Sequence, residues 1–381
     1  MRRPTAGPTR RGTAWGRWGA ACLAAMIAGG AGVAEAQITI VDTGQGGVTL
    51  SSGATSAAEL SGITFAGGTR YYAVGDNGAK SIWDLSIVLD SATGRITSSG
   101  VTSGISAPGM GTDAEGIAYR IATGSAFVSD EVASTINEFA VPAGTLSGGV
   151  GVPAIYAPSN VQSNMGLESL AYGPGGLWTA NEEALVPDGP LSTTSAGSWV
   201  RIQRFSEQVG GGFSTAGQWG YRTDPISALS QLTTAERSGV VDVLPWSETQ
   251  LLVLERELGQ AVPRFRSRLY LVDTTTASDV SALATINAGG FTPLGKTLLW
   301  EDTFALSNFE GMTFGPTLDD GSRSLLLVSD NGGGLAQNLY ALRAVAAVPE
   351  PATVWLAAIG LGGLGWWTCR RRTTCHPPPT G

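Results

Sequence analysis

Seven carboxylates, Glu115, Asp130, Glu131, Glu168, Glu182, Glu310 and Asp330, stand at the two ends of a repeated pattern and are the side chains best placed to do chemistry. An acid heads a short apolar run, a turn follows, and a second apolar run ends in another acid. Head and tail positions lie fourteen or fifteen residues apart in four copies and twenty in the last, whose turn at Asp319-Asp320-Gly321 is longer. A strand of about five residues, a turn and an equal return strand bring such positions side by side at one end of a hairpin. That pairing sets Glu115 near Asp130 or Glu131, Glu168 near Glu182, and Glu310 near Asp330. Asp76 and Glu255 occupy the tail position in the other two copies. Carboxylates that converge in partly buried space raise one another's pKa unless a cation compensates. An all-oxygen set suits calcium, which accepts about six to eight oxygens in flexible geometry. The same acids can instead clip backbone N–H groups or pair with arginine and serve only the fold.

The elements that carry these acids repeat five times. The copies are Ser61-Gly62-Ile63-Thr64-Phe65 with Tyr71-Tyr72-Ala73-Val74-Gly75-Asp76, Glu115-Gly116-Ile117-Ala118-Tyr119 with Ala126-Phe127-Val128-Ser129-Asp130-Glu131, and Glu168-Ser169-Leu170-Ala171-Tyr172 with Leu177-Trp178-Thr179-Ala180-Asn181-Glu182. The fourth is Val241-Asp242-Val243-Leu244 with Leu251-Leu252-Val253-Leu254-Glu255-Arg256, and the fifth runs from Glu310-Gly311-Met312-Thr313-Phe314 to Leu325-Leu326-Leu327-Val328-Ser329-Asp330. A further alternating stretch follows each copy, at 82–89, 135–141, 199–205, 268–272 and 338–344. With 54 glycines and 14% charged residues, the chain reads as all-β. Repeated four-stranded units around an axis make a β-propeller. A six-bladed ring is expected, with five as the alternative, because residues 184–238 and 273–307 leave room for one more sheet. Residues 38–41 are expected to complete the last blade.

The two ends read differently. Arg2, Arg3, Arg10, Arg11 and Arg17, an apolar run over 20–33 and the Ala34-Glu35-Ala36 site before Gln37 form a secretory signal peptide. At the other end Pro349-Glu350-Pro351 leads into a short apolar helix over 354–367 closed by Arg370, Arg371 and Arg372. This arrangement closely resembles the PEP-CTERM sorting signal of Gram-negative bacteria. The resemblance implies an exosortase-type processing enzyme as partner, transient contact of the helix with the inner membrane, and release at the cell surface or into the matrix.

Between the ends, residues 37–345 hold 15 basic and 29 acidic side chains, since eight of the 23 arginines and lysines and two of the 31 acids lie outside. Nucleic acid is excluded as a partner by that balance, because a phosphate backbone needs a basic face. Cys22, Cys369, Cys375 and His376 all fall outside the same span, so it contains neither cysteine nor histidine. That removes disulfides, a Ser-His-Asp triad, a catalytic thiol and any zinc site built on His or Cys. Arg256 and the alternating Arg264, Arg266 and Arg268 are the candidate substrate-binding cations; spacing of two puts the last three on one strand face, where solvation alone can also explain them. Trp178 and Trp199 are candidates to stack on sugars, or to pack the core.

The hairpins over 113–131 and 166–182, the pair of runs 251–256 and 268–273, and above all 308–331 resemble the phytase-like family, a secreted bacterial domain described as having esterase-like activity of phytase. The similarity spans roughly residues 58–343. It implies a propeller and, by extension, calcium-dependent hydrolysis of phosphoric monoesters by water. Two functions are thus expected of the exported chain. One is phosphoesterase activity, with Glu115, Asp130, Glu131, Glu168, Glu182, Glu310 and Asp330 holding calcium. The alternative is a non-catalytic propeller that binds matrix polysaccharide.

Overall fold

Each hairpin read from the sequence forms the first two strands of an antiparallel sheet, and five such sheets, four of them four-stranded and one five-stranded, are present among the described residues. In this computed structural model those are residues 38–76, 78–227, 237–259 and 264–346; the signal peptide and the sorting signal, with Pro349, Glu350, Pro351 and Arg370 to Arg372, lie outside them. In chain order the strands begin with β1 (Ile38–Asp42) and β2 (Val48–Thr49). Blade one follows as β3 (Leu60–Gly67), β4 (Arg70–Gly75), β5 (Ser81–Leu89) and β6 (Ile96–Ser106). Blade two is β7 (Ala114–Arg120), β8 (Ser125–Asp130), β9 (Thr135–Ala140) and β10 (Thr145–Val150). Blade three is β11 (Ala171–Gly173), β12 (Gly176–Ala180), β13 (Trp199–Glu207) and β14 (Phe213–Arg222). Blade four is β15 (Arg237–Pro245), β16 (Gln250–Gly259), β17 (Arg264–Asp273) and β18 (Lys296–Ala305), and blade five is β19 (Asn308–Thr317), β20 (Arg323–Asp330) and β21 (Asn338–Ala346).

Blade five takes its outer strand from the other end of the domain. β1 pairs antiparallel with β21, from Ile38 opposite Ala346 to Asp42 opposite Leu342, as the sequence led us to expect. The first strands β3, β7, β11, β15 and β19 pack each on the next, and β19 returns to β3, so the ring closes. Radial closure leaves only short, protected strand edges.

Among the described residues the sixth blade expected from the segment lengths is not found. Residues 199–222 supply the two outer strands of blade three, and 296–305 is the fourth strand of blade four. The intervening 274–295 forms no sheet of its own and lies along the edge of β14, with Val280 N–H donating to Gln218 O at 2.7 Å and Leu294 N–H to Gly220 O at 2.9 Å. The other long insertion, around 186–188, is tied down by a buried pair, Arg201 Nε to Asp188 Oδ2 at 2.6 Å. The extra length was loop that covers a strand edge, which a composition rich in glycine does not distinguish from another blade.

The core is distributed over the five seams between blades. Tyr72 and Ile82 pack on Phe139, Phe127 on Leu177 and Phe205, Val200 and Tyr221 on Val253, Leu254 on Phe309, and Leu326 on Ile63 and Leu85 within the clusters that fill the seams in turn. Trp178 belongs to the third of these. It is fully buried and stacked on Trp219 with ring centroids 5.6 Å apart, so it is a packing residue and not a sugar platform.

The repeated Glu-Gly-apolar motif has a packing reason. A Cβ added at Gly116 would lie 2.4 Å from Leu170 N, one at Gly62 would lie 2.4 Å from Glu115 O, and one at Gly311 would lie 2.4 Å from Ser61 O. Only glycine lets neighbouring inner strands approach this closely. Side chains then tie the strands together: Thr64 Oγ1 accepts from Tyr119 N and Thr313 Oγ1 from Phe65 N, both at 3.1 Å, and Asp242 Oδ2 accepts from Met312 N at 2.6 Å.

Candidate metal centre at one end of the channel

The heading residue of each copy precedes or begins the run of its inner strand, so the heads gather at one end of the ring. Register shifts next to the heads turn them inward: the ladder slips between Ala114 and Ile117, and between Phe309 and Gly311. Such bulges re-aim a side chain without breaking the sheet. Glu115, Glu168 and Glu310 are thereby buried with the tail acids Glu131, Glu182, Asp130 and Asp330.

Two overlapping triads result. One oxygen each of Asp113, Glu115 and Glu131 lies within 4.8 Å of the others, and the same is true of Glu131, Glu168 and Glu182. Glu131 belongs to both. It comes from the tail of blade two and Glu168 from the head of blade three, so the second triad straddles a seam. Gly166 makes this contact possible, since a Cβ there would lie 2.8 Å from Glu131 Cγ, and its N–H donates to Glu131 Oε1 at 2.7 Å.

Charge compensation is uneven. Toward blades four and five, Arg256 Nη2 donates to Glu182 Oε1 at 3.1 Å and to Glu310 Oε1 at 3.0 Å. Asn308 Nδ2 donates to Glu310 Oε1 at 2.7 Å and reaches Asp330 Oδ2 at 3.4 Å. Toward blades two and three no described cation pairs with Asp113, Glu115, Glu131 or Glu168. There Glu131 Oε2 and Glu168 Oε2 are buried without a hydrogen-bond partner.

The proton affinities follow this layout. Burial pushes Glu131 up to about 8, with Glu182 and Asp113 adding to it against the Gly166 N–H. Burial, then the neighbouring Glu310 and Glu131, hold Glu115 well above the carboxylate range, and burial with Glu115 and Glu182 does the same to Glu168. Glu310 is raised to about 8 by burial even with Arg256 pulling the other way, and Asp76 to about 7 by burial and then Asp330. Desolvated like charges without a counter-ion take up protons or a metal.

The residues suit a hard cation. All donors are carboxylate oxygens, and two of them are orphaned inside the cluster, which an oxygen-liganded ion such as calcium would satisfy.

Comparison with known proteins agrees with the repeat pattern. The family described as Phytase-like, esterase-like activity of phytase, matches residues 55–333. The chain belongs to this phytase-like family. Residues 347–372 match the PEP-CTERM protein-sorting motif, which implies export, surface sorting and processing by an exosortase-type enzyme. No curated protein matches the chain. Among solved structures, a protein from Lactobacillus plantarum is similar at 10% identity and a TM-score of 0.36, covering 81% of this chain and 99% of that one. A luciferin-regenerating enzyme is similar at 12% identity and a TM-score of 0.34, over 81% and 96% of the two chains. The hydrazine synthase of Kuenenia stuttgartiensis is similar at 10% identity and a TM-score of 0.33; the match covers 77% of this chain and 64% of that one.

Within this phytase-like domain the remaining acids of the pattern divide by role. Asp130 Oδ1 accepts from Ala133 N at 2.6 Å and Oδ2 from Asp113 N at 3.3 Å, which makes it a turn clip beside the first triad. Asp330 Oδ1 accepts from Gly332 N at 2.7 Å in the same way. Glu255 leaves the set altogether: it takes Lys296 Nζ at 2.6 Å, the Tyr221 hydroxyl at 2.5 Å and Asp224 N at 3.0 Å in a separate polar cluster between blades three and four.

Of the four arginines read as substrate cations only Arg256 stands at the acidic mouth; the other three share β17. Arg256 is held by two carboxylates, and Arg268 by Glu257 at 2.8 Å and Glu301 at 3.7 Å. Arg264, exposed, and Arg266, opposite Glu257 in the ladder, sit with Arg268 on β17, the third strand from the channel. Two residues at the site escaped the sequence reading: Asp113 and Asn308. Asp113 and Asn308 each lie two positions before a heading glutamate, a spacing that marks the same strand face and carried the missing signal.

Proposed function

We propose that the chain is an exported hydrolase of phosphoric esters whose acidic channel mouth holds calcium. The observation that carries this reading is the orphaned pair, Glu131 Oε2 and Glu168 Oε2, buried in a carboxylate cluster of whose members only Glu182 pairs with a described cation. Asp113, Glu115, Glu131, Glu168 and Glu182 would hold the ion, with Glu131 shared if two ions bind. Calcium bound there would neutralise a phosphoryl group and supply an activated water.

The protein's own residues do the rest. Arg256 neutralises Glu182 and Glu310 and keeps the far side of the mouth from repelling an anionic substrate. Asn308 orients Glu310 through its 2.7 Å bond. The arginines of β17 lie two strands outward from the channel strand β15.

The test is hydrolysis of 4-nitrophenyl phosphate and of inositol phosphates by the purified exported protein, with and without calcium. Activity that appears with calcium, disappears with a chelator and is lost in Glu168→Gln supports the proposal. A protein that binds no calcium and turns over neither ester overturns it.

A further inference from the structure

The inner strands run from the acidic mouth to a second, different mouth. Four residues beyond the heading positions stand Phe65, Tyr119, Tyr172 and Phe314, one in each of four copies, with Pro245 in the remaining one. At about 3.3 Å per residue this ring lies roughly 13 Å along the channel from the carboxylates. Ile63, Ile117 and Leu170 fill the space between the two ends. The far mouth opens into a cavity of about 260 Å³ to which all five inner strands contribute.

One side chain of that cavity is out of balance. Arg323, at the start of β20, lies with its guanidinium carbon 3.7 Å from the centroid of the Phe314 ring and 5.8 Å from that of Trp246. It forms no ion pair and donates no side-chain hydrogen bond to any described residue. Burial alone lowers its pKa, the reverse of Arg256 and Arg268, whose carboxylate partners raise theirs. Arg120, which is also buried near the channel strands, has Glu138 at 3.0 Å and Glu207 at 2.9 Å. A stacked guanidinium keeps its five donors free at its edge, and cation–π contact does not use them.

We propose that this cavity is a second binding site, for a small ring compound bearing a single carboxylate. Arg323 would take the carboxylate in a bidentate pair, and the faces of Tyr119, Tyr172 and Phe65 would cover the ring. One guanidinium with no second cation beside it matches one negative charge and disfavours a phosphate dianion. A uronic acid and an aromatic acid share this chemistry, and the probes separate them. The site is independent of the acidic mouth, because the apolar filling isolates one from the other.

The experiment titrates the purified exported protein, in the presence of a metal chelator, with methyl glucuronide and with 4-hydroxybenzoate, following ligand signals by NMR. Saturable binding of one of the two is expected, weakened about tenfold or more in Arg323→Gln, as loss of a charge-assisted pair requires. Binding should be unchanged in Glu168→Gln, which separates this site from the calcium reading. Arg323→Gln is expected to fold, since the guanidinium forms no ion pair or hydrogen bond with a described residue and gives up only its stacking on Phe314 and Trp246; thermal unfolding close to wild type verifies this. Failure of both probes to bind at millimolar concentration overturns the proposal. So does equal binding by wild type and Arg323→Gln, or equal binding of benzyl alcohol and 4-hydroxybenzoate.

Discussion

Arg256 Nη2 lies 3.0 Å from Glu310 Oε1 across the seam between blades four and five, and the same nitrogen holds Glu182 from blade three at 3.1 Å. One guanidinium therefore joins three blades at the only part of the mouth where the described acids are compensated. Removing it while leaving both carboxylates buried, as in Arg256→Gln, is expected to destabilise the domain by about 3–5 kcal/mol. Denaturant unfolding in the presence of a chelator measures this. Added calcium should recover part of the loss, because it supplies the missing positive charge.

Glu131 and Glu168 should behave in the opposite sense. Each carries an oxygen with no partner, so Glu168→Gln relieves repulsion and leaves the metal-free domain as stable as wild type or more so. Calcium affinity should fall about tenfold or more. Calorimetric titration and thermal unfolding with and without calcium give both readouts.

The raised carboxyls predict a pH dependence. Their folded pKa values lie above the unfolded values, with Glu131 and Glu310 at about 8 and Asp76 at about 7. The folded state thus binds more protons than the unfolded chain between the ordinary carboxylate range and pH 8. The contribution of these groups to metal-free stability is full below about pH 4 and is lost progressively as pH rises to about 8. Calcium bound at the mouth would compete with those protons, so the shift in Tm on adding calcium should be larger at about pH 8 than at about pH 5.5.

Close strand approach gives a test of the ring itself. Gly116→Ala places a methyl 2.4 Å from Leu170 N, and Gly311→Ala places one 2.4 Å from Ser61 O. The clash is with backbone of the next blade, which cannot swing aside. Each is expected to cost about 1–3 kcal/mol in denaturant unfolding. Gly321→Ala, in a turn with open space around it, should cost less, its penalty coming from the positive φ of 82° alone.

The five hairpins, their third strands and the closing strand at Ile38–Asp42 were legible in the sequence, because a strand buried on both faces shows as an unbroken apolar run such as Leu325-Leu326-Leu327-Val328. The outer strands were not. Thr145–Val150 is exposed at five of its six positions and reads Thr-Leu-Ser-Gly-Gly-Val, so it has no apolar period to find. Local sequence likewise determined that acids recur at the ends of hairpins. Tertiary structure alone decided what each does. Asp130 and Glu131 are neighbours in the chain, yet one clips a turn and the other joins two triads, since successive side chains point to opposite sides. Arg256 and Glu255 are likewise adjacent, one in the mouth and one in a separate cluster between blades three and four. Which carboxylates found a cation and which were left without one depended on contacts across seams between blades. Those contacts join residues tens of positions apart, and no local pattern encodes them.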